Sequence, residues 1–215
     1  MKTEANKSVF KPPSFAEENK LFSQGYKLIA GIDEAGRGAL AGPVVAAAVI
    51  LPQTSDFPWL KQVRDSKELT TLKRDFLFDL IQKEALATGT GIVESQIIDS
   101  IGILNATKVA MNEAVEQLNC VPDFMLIDAL TLPKPPTAQK GIIKGDKLCL
   151  SIACASIIAK VTRDRIMVEF DYIFPGYALY QHKGYGTRLH FTCLQQLGPS
   201  PIHRYSFAPV RKATT

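Results

Sequence analysis

Ile29-Ala30-Gly31-Ile32-Asp33-Glu34-Ala35-Gly36-Arg37-Gly38 decides how the rest of the chain is read. An apolar run of the kind that forms a buried strand ends in two adjacent carboxylates, and a glycine-flanked arginine follows at once. A buried carboxylate without a partner costs several kcal/mol, so an acidic pair at a strand end calls for a cation, a salt bridge or water nearby. An ion pair between Glu34 and Arg37 in a solvated turn meets that demand by itself. Gly36-Arg37-Gly38 adds a second reading. Glycines on both sides let the backbone approach a ligand and free its N–H groups, while the guanidinium can fork onto a phosphate. A metal-binding acid pair beside a phosphate-binding backbone is what cleavage of a phosphodiester requires.

Working outward, Tyr26 to Asp33 reads as a first strand and Val44 to Leu51 as a second. The short glycine-rich connection makes them antiparallel and puts the acid pair at one edge of the sheet. Thr88 to Glu94 alternates like a third strand. Phe124 to Ile127 is continuously apolar, as in a strand buried on both faces, and ends in Asp128. Gly141 to Lys144 gives a further short strand, followed by Gly145-Asp146. Asp128 and Asp146 therefore repeat the pattern of Asp33, and ligand sites in open α/β sheets gather at such strand ends. Either aspartate alone also fits an ordinary turn.

Thr70 or Thr71 is placed to cap a helix running to about Glu84. Ser95 can cap a short helix, after which Ile103 to Leu118 continues as a long one with Met111 as core filler. Ser151 to Phe170 is the longest helix, with Ile152, Ala155, Ile158, Ala159 and Ile166 as its buried stripe and Asp164 as an intrahelical partner for a nearby cation. The proline-rich loop Thr131 to Gln139 is expected to be exposed. Ser66 and Lys67 fit contacts to a nucleic-acid backbone as well as a solvated turn. Tyr185, between Gly184 and Gly186, is set to stack on a base or sugar, or else to anchor a turn at the surface.

The chain has 215 residues, 46% of them apolar, which suits one compact domain. Residues 1–25 read as an N-terminal arm, extended or a short leading helix. Residues 26–215 read as the catalytic domain, including a small helical C-terminal part from about residue 174. A net charge of +4 is a mild basic excess compatible with a nucleic-acid partner. Cys120, Cys149, Cys154 and Cys193 form no CxxC pair and have no paired histidines, which argues against zinc; three of the four sit in apolar surroundings and read as buried thiols of a reducing compartment. Met1 to Lys20 has no apolar signal region, and Ala39 to Leu51 is too short to span a bilayer, so a cytoplasmic protein without a membrane partner is expected.

Asp33-Glu34-Ala35-Gly36-Arg37-Gly38, Asp65-Ser66-Lys67, Leu126-Ile127-Asp128, Gly145-Asp146, the run from Ala155 to Asp164 and His182-Lys183-Gly184-Tyr185-Gly186-Thr187 together resemble the motif series of type 2 ribonuclease H (ribonuclease HII), in that family's order. The resemblance runs from about Leu28 to Phe207. It implies an α/β fold, a ribonuclease H-like mixed five-stranded sheet flanked by helices with a small helical C-terminal extension. It also implies endonucleolytic cleavage of the RNA strand of RNA–DNA hybrids and nicking 5′ of ribonucleotides embedded in duplex DNA, giving 5′-phosphate and 3′-hydroxyl ends. By the same resemblance, Asp33, Glu34, Asp128 and Asp146 hold divalent metal. Gly36, Arg37 and Gly38 recognise the ribonucleotide 2′-OH and neighbouring phosphates, and Tyr185 stacks on the following sugar.

The residue types agree with this chemistry. Oxygen-only ligands select hard ions, so Mg²⁺ or Mn²⁺ is expected, with two ions clamping the scissile phosphate. The 2′-OH is the group that separates RNA from DNA at a given site, and glycine backbone can test it at close range. Ser66, Lys67, Lys160, Arg163 and Lys183 are expected to position the duplex without reading sequence. A type 3 ribonuclease H carries an additional N-terminal substrate-binding domain, for which about twenty-five leading residues leave no room. A non-catalytic binder of polyanions gains nothing from four carboxylates facing phosphates. A monomer is expected, and the tail Ala208 to Thr215 shows no clear motif for tethering to a sliding clamp.

Overall fold

The computed structural model describes residues 12–53, 57–133, 135 and 137–213. Strand β1 (Ile29–Ala35) pairs antiparallel with β2 (Val44–Ile50), and β2 antiparallel with β3 (Ala87–Val93). On the other side of β1 lie β4 (Phe124–Asp128) and β5 (Ala138–Ile142), both parallel to it, giving the sheet order β3-β2-β1-β4-β5. The five-stranded mixed sheet expected from the sequence is thus formed. Its antiparallel half follows from tight connections, its parallel half from the crossover required to bring a strand back in the same direction.

The strand period of two sorts the core. Ala46, Ala48 and Ile50 pack with Ala110 and Met111 of α4 (Ile103–Glu116) on one face. Ala47 and Val49 pack with Cys154 and Ile158 of α6 (Leu150–Ile173) on the other. Helix α6 lies so close to β1 that a Cβ added at Gly31 falls 2.1 Å from the carbonyl carbon of Ser151. Leu77 and Ile81 of α2 (Thr71–Glu84) join the α6 side, and the Thr70 hydroxyl caps α2 by accepting from the Lys73 N–H at 3.3 Å.

Several boundaries differ from the sequence reading. The last strand covers 138–142 rather than 141–144, because Lys144 turns to φ 58° and leaves the extended region. As an edge strand exposed along most of its length, it shows no apolar run to announce it. Helix α3 (Ser95–Ile101) has Glu94 at its N-cap, not Ser95, and Gly102 at φ 79° separates it from α4. In α6, Met167 is fully buried where Ile166 was expected.

The leading helix expected in the arm is α1 (Ala16–Ser23), and it is docked. The buried Glu18 side chain accepts from Ser151 N–H at 2.9 Å and Ser151 Oγ at 2.7 Å, capping the free donors at the start of α6. The first eleven residues of the arm lie outside the described residues. At the other end, α7 (Leu179–His182), α8 (Arg188–Leu197) and α9 (Ala208–Lys212) form the expected helical extension. It is stitched to the chain between β1 and β2. Leu40 N–H donates to Gly184 O, Gly42 N–H to Ile202 O and Arg204 N–H to Leu40 O, each at 2.8 Å.

Candidate active site

In the parallel register Ile32 of β1 stands opposite Ile127 of β4, so the next residues, Asp33 and Asp128, end neighbouring strands side by side. Strand spacing sets their backbones roughly 4.8 Å apart, and strand alternation turns both side chains to the α6 face. Asp33 is 5% exposed and accepts the Glu34 N–H at 2.7 Å. Asp128 accepts the Gly145 N–H at 2.7 Å, which brings in the one-turn helix α5 (Gly145–Leu148) and its buried Asp146. Glu34 Oε1 accepts from Arg37 Nη1 at 3.1 Å, while Glu34 Oε2 is buried and has no partner. The Glu34–Arg37 ion pair of the simpler reading therefore exists, yet it satisfies half of one carboxylate.

Burial, reinforced by the charges of Glu34 and Asp128, holds the Asp33 carboxyl well above the usual carboxylate range. Burial likewise raises Glu34 against the pull of Arg37. It raises Asp146 too, with Asp65 and Asp128 adding to the effect. For Lys67, partial burial opposes the charge, but Asp65, Asp146, Asp33 and Asp128 outweigh it and raise its pKa. The cluster is a concentration of negative charge that Lys67 answers only in part.

Beside these acids opens a cleft of about 390 Å³. Gly36, Arg37 and Gly38 form one wall, Ser66 and Lys67 of a 3-10 turn (Ser66–Glu68) another, and Lys160 and Tyr185 complete it. Ser156 also faces the cleft; its hydroxyl lies 3.0 Å from that of Ser66, and it works against the rise in the Asp33 pKa. Ser156 is not among the site residues expected from the sequence. Its spacing of four from Lys160 puts both on one helical face and was the available signal.

The two glycines differ. At Gly36, with φ 96°, an added Cβ would sit 2.1 Å from Arg163 Nε, so the protein itself requires glycine there. At Gly38 nothing lies within 4 Å of such an atom, which leaves open space on the cleft side.

Arg163 and Lys183 are not where the sequence reading put them. Arg163 is 0% exposed, and its guanidinium donates to the carbonyls of Pro43, Lys183 and Ala41 at 2.9, 2.9 and 3.0 Å. A guanidinium that is fully buried and turned onto three backbone carbonyls is out of reach of a phosphate, so the expected direct contact is corrected. Lys183 caps α7 in a left-handed conformation, donates to Tyr180 O, and faces a neighbouring groove with Arg74 and Asp164. Asp164 pairs with Lys160 at 2.7 Å, as the helical spacing predicted.

Two features escaped the sequence reading. Arg204 is also 0% exposed and donates to Gly42 O and Arg37 O. The chain's three histidines, His182, His190 and His203, are all buried together behind Tyr185. Neither carries a local sequence signal, because an arginine and a histidine in a C-terminal segment normally read as surface.

The family model described as Ribonuclease HII matches residues 30–210. The ribonuclease HII of Dehalococcoides mccartyi is 56% identical over 199 residues, covering 93% of this chain and 94% of that protein. That of Geobacter sulfurreducens is 55% identical, covering 91% and 88%. Among solved structures, ribonuclease H2 from Pyrococcus horikoshii is 26% identical with a TM-score of 0.71, covering 86% of this chain and 96% of that one. Ribonuclease HII of Archaeoglobus fulgidus, solved as a complex with PCNA, is 25% identical with a TM-score of 0.70, covering 87% and 97%. Bst-RNase HIII in complex with Mn²⁺ shares the fold at 18% identity, with a TM-score of 0.64 and coverage of 99% and 76%. With the acids at the strand ends, the glycine-arginine wall and these matches in agreement, the chain belongs to the ribonuclease HII family, hydrolases of phosphodiester bonds with ribonuclease H activity on RNA–DNA hybrids.

Proposed function

We propose that this enzyme, besides cutting the RNA strand of hybrids, nicks duplex DNA on the 5′ side of single embedded ribonucleotides and leaves 5′-phosphate and 3′-hydroxyl ends, acting as a cytoplasmic monomer through a catalytic domain of residues 26–215. The observation that carries this reading is Glu34 in the lining of a cleft whose other walls carry Gly38 and Tyr185, with Asp33 and Asp128 on the adjoining strand ends and Asp146 just beyond Gly145, which Asp128 holds. A chain that only cleaved long hybrids by backbone shape needs no group that inspects one sugar; a glycine wall facing a tyrosine supplies one.

The acids suit divalent metal. Glu34 Oε2 is a buried acceptor without a donor, and Asp33 is raised by its carboxylate neighbours, so a cation relieves both. Among the described residues no three such side chains stand together as a ready-made metal site. Mg²⁺ and Mn²⁺ are the hard ions that one or two carboxylates take together with waters and substrate phosphate oxygens. Asp33, Glu34, Asp128 and Asp146 are the residues to hold the ions. The chemistry supplied by two such ions, when bound, is activation of the attacking water and stabilisation of the leaving 3′-oxygen.

The rest is done by the chain. Gly38 admits the sugar edge without a side chain in the way, and its backbone reads the 2′-OH. Arg37, paired with Glu34 at the cleft wall, is the guanidinium that would take a phosphate. Lys67, Lys160 and the Ser66 hydroxyl hold the cut strand in register, and Tyr185 stacks on the next sugar. The mild basic excess supports polyanion binding generally.

The test is cleavage of a labelled DNA duplex containing one ribonucleotide, with Mg²⁺, Mn²⁺ or chelator, for the wild type and Asp33→Asn. Metal-dependent nicking 5′ of the ribonucleotide that disappears in the variant supports the reading. Cleavage confined to long hybrids overturns the single-ribonucleotide part.

A further inference from the structure

Arg163 and Arg204 are large cations, both 0% exposed, and among the described residues neither has a carboxylate partner within ion-pair distance. Burying a charge without a counter-charge is expensive, and a buried structural position is ordinarily filled by an apolar side chain. Here every guanidinium nitrogen donates to a main-chain carbonyl. Arg204 Nη1 donates to Arg37 O at 2.9 Å, and its Nε and Nη2 donate to Gly42 O at 3.0 and 2.9 Å. Arg163 reaches Pro43 O, Ala41 O and Lys183 O. Four of these five acceptors belong to the segment between β1 and β2, and the fifth lies two residues before Tyr185.

The Arg37 carbonyl shares its peptide unit with the Gly38 N–H. In a trans peptide the two point in opposite directions, and the described chain has no cis bond. With Arg204 behind that carbonyl, the Gly38 N–H points away from the core toward the cleft that Gly38 lines. Among the described residues it has no backbone acceptor. A guanidinium on the carbonyl also polarises the peptide and strengthens its N–H as a donor. Arg163 ties this segment to the one carrying Tyr185 and lies 5.2 Å from the centre of the Tyr185 ring.

We propose that Arg204 and Arg163 are positioning residues for sugar recognition: Arg204 aims the Gly38 N–H into the cleft, Arg163 sets the distance from that donor to Tyr185, and together they determine the preference for ribose over deoxyribose. This rests on the reading of the cleft given under Proposed function.

The test compares wild type with Arg204→Gln, Arg204→Lys and Arg163→Lys. Binding is measured with metal chelated, on a DNA duplex containing one ribonucleotide and on the same all-DNA duplex; kcat and KM are measured on the former with Mg²⁺. Loss of one oriented hydrogen bond predicts that Arg204→Gln lowers the ribose-to-deoxyribose binding ratio by about tenfold while all-DNA binding stays within about twofold. Arg204→Lys recovers part of the ratio, and Arg163→Lys affects kcat more than KM. A purely structural role lowers the active fraction and leaves the ratio untouched, so an unchanged ratio in folded variants overturns the inference. A wild type that fails to discriminate overturns the reading of the cleft instead. Should the variants not fold, amide exchange in the wild type decides: Leu40 and Gly42 must exchange as slowly as the core strands, and surface-loop rates refute the clamp.

Discussion

Acidification should destabilise this protein through its buried histidines. Their tautomers follow from the donors around them. Ser200 N–H donates to His203 Nδ1 at 2.9 Å, so the His203 proton is on Nε2 and is given to His190 Nε2 at 3.1 Å. The His190 proton is then on Nδ1 and goes to Tyr185 O at 3.0 Å. Gly184 N–H donates to His182 Nδ1 at 3.1 Å, leaving its Nε2 proton for Tyr177 O at 2.8 Å. Every ring is neutral with both nitrogens used, and a further proton on His190 or His203 meets a donor head-on. Burial, then the neighbouring imidazole, pushes His190 and His203 each down to about 4. Because the folded values lie below the ordinary 6.5, the folded state binds fewer protons than the unfolded chain between those limits. Stability is therefore complete above about pH 6.5 and is lost as pH falls toward 4. At pH 5 the deficit is about 2 kcal/mol for each ring and about 4 kcal/mol for the pair, out of a typical 5–15 kcal/mol. Urea unfolding at pH 8, 6.5, 5.5 and 5 measures it, with the double variant His190→Gln, His203→Gln as control. The wild-type minus variant difference should shrink by about 4 kcal/mol from pH 8 to pH 5. Carboxylates with raised pKa values, such as Glu18 and Glu94, act in the opposite direction but cancel in the difference. Parallel pH curves for the two proteins refute the argument.

Asp33→Asn should abolish cleavage yet stabilise the metal-free protein by about 1–3 kcal/mol, since it removes a desolvated charge repelled by Glu34 and Asp128; thermal melting in chelator reads this, and a destabilised variant contradicts it. Gly38→Ala should leave stability within about 0.5 kcal/mol, because nothing lies near the added carbon, while weakening binding of ribonucleotide-containing duplex. Gly36→Ala should cost more than 1 kcal/mol in stability, being both left-handed and in contact with Arg163; equal behaviour of the two glycine variants would count against their different placement. Gly31→Val should prevent α6 from seating on β1, with an overpacking cost of about 3 kcal/mol or more by urea titration.

Much of this protein is legible along the chain. The continuous apolar runs Val44 to Ile50 and Phe124 to Ile127, alternation in Thr88 to Glu94, and the helical spacing from Ile152 to Asp164 are local patterns imposed by the geometry of strands and helices, and they place Asp33 and Asp128 at strand ends without reference to any long-range contact. The short glycine turn after Asp33 dictates an antiparallel neighbour. What the chain does not show is register and burial. Edge strand β5 has no apolar run because one side of it faces solvent, so its start at Ala138 is decided by pairing with Phe124. Arg163 sits among charged residues in sequence and reads as a surface cation; only the packing of the C-terminal segment against residues 39–42 reveals a buried clamp. Of Ser200, His203, His190 and Tyr185, only His190 lies in a helix and the others stand in the segments on either side of it, so their hydrogen-bonded line exists only once α8 is docked. The sequence by itself determined which chemical groups this protein has and at which strand ends they stand, because secondary structure is periodic and local. Tertiary structure alone decided which cations line the cleft and which hold the backbone, because burial depends on contacts between segments more than a hundred residues apart.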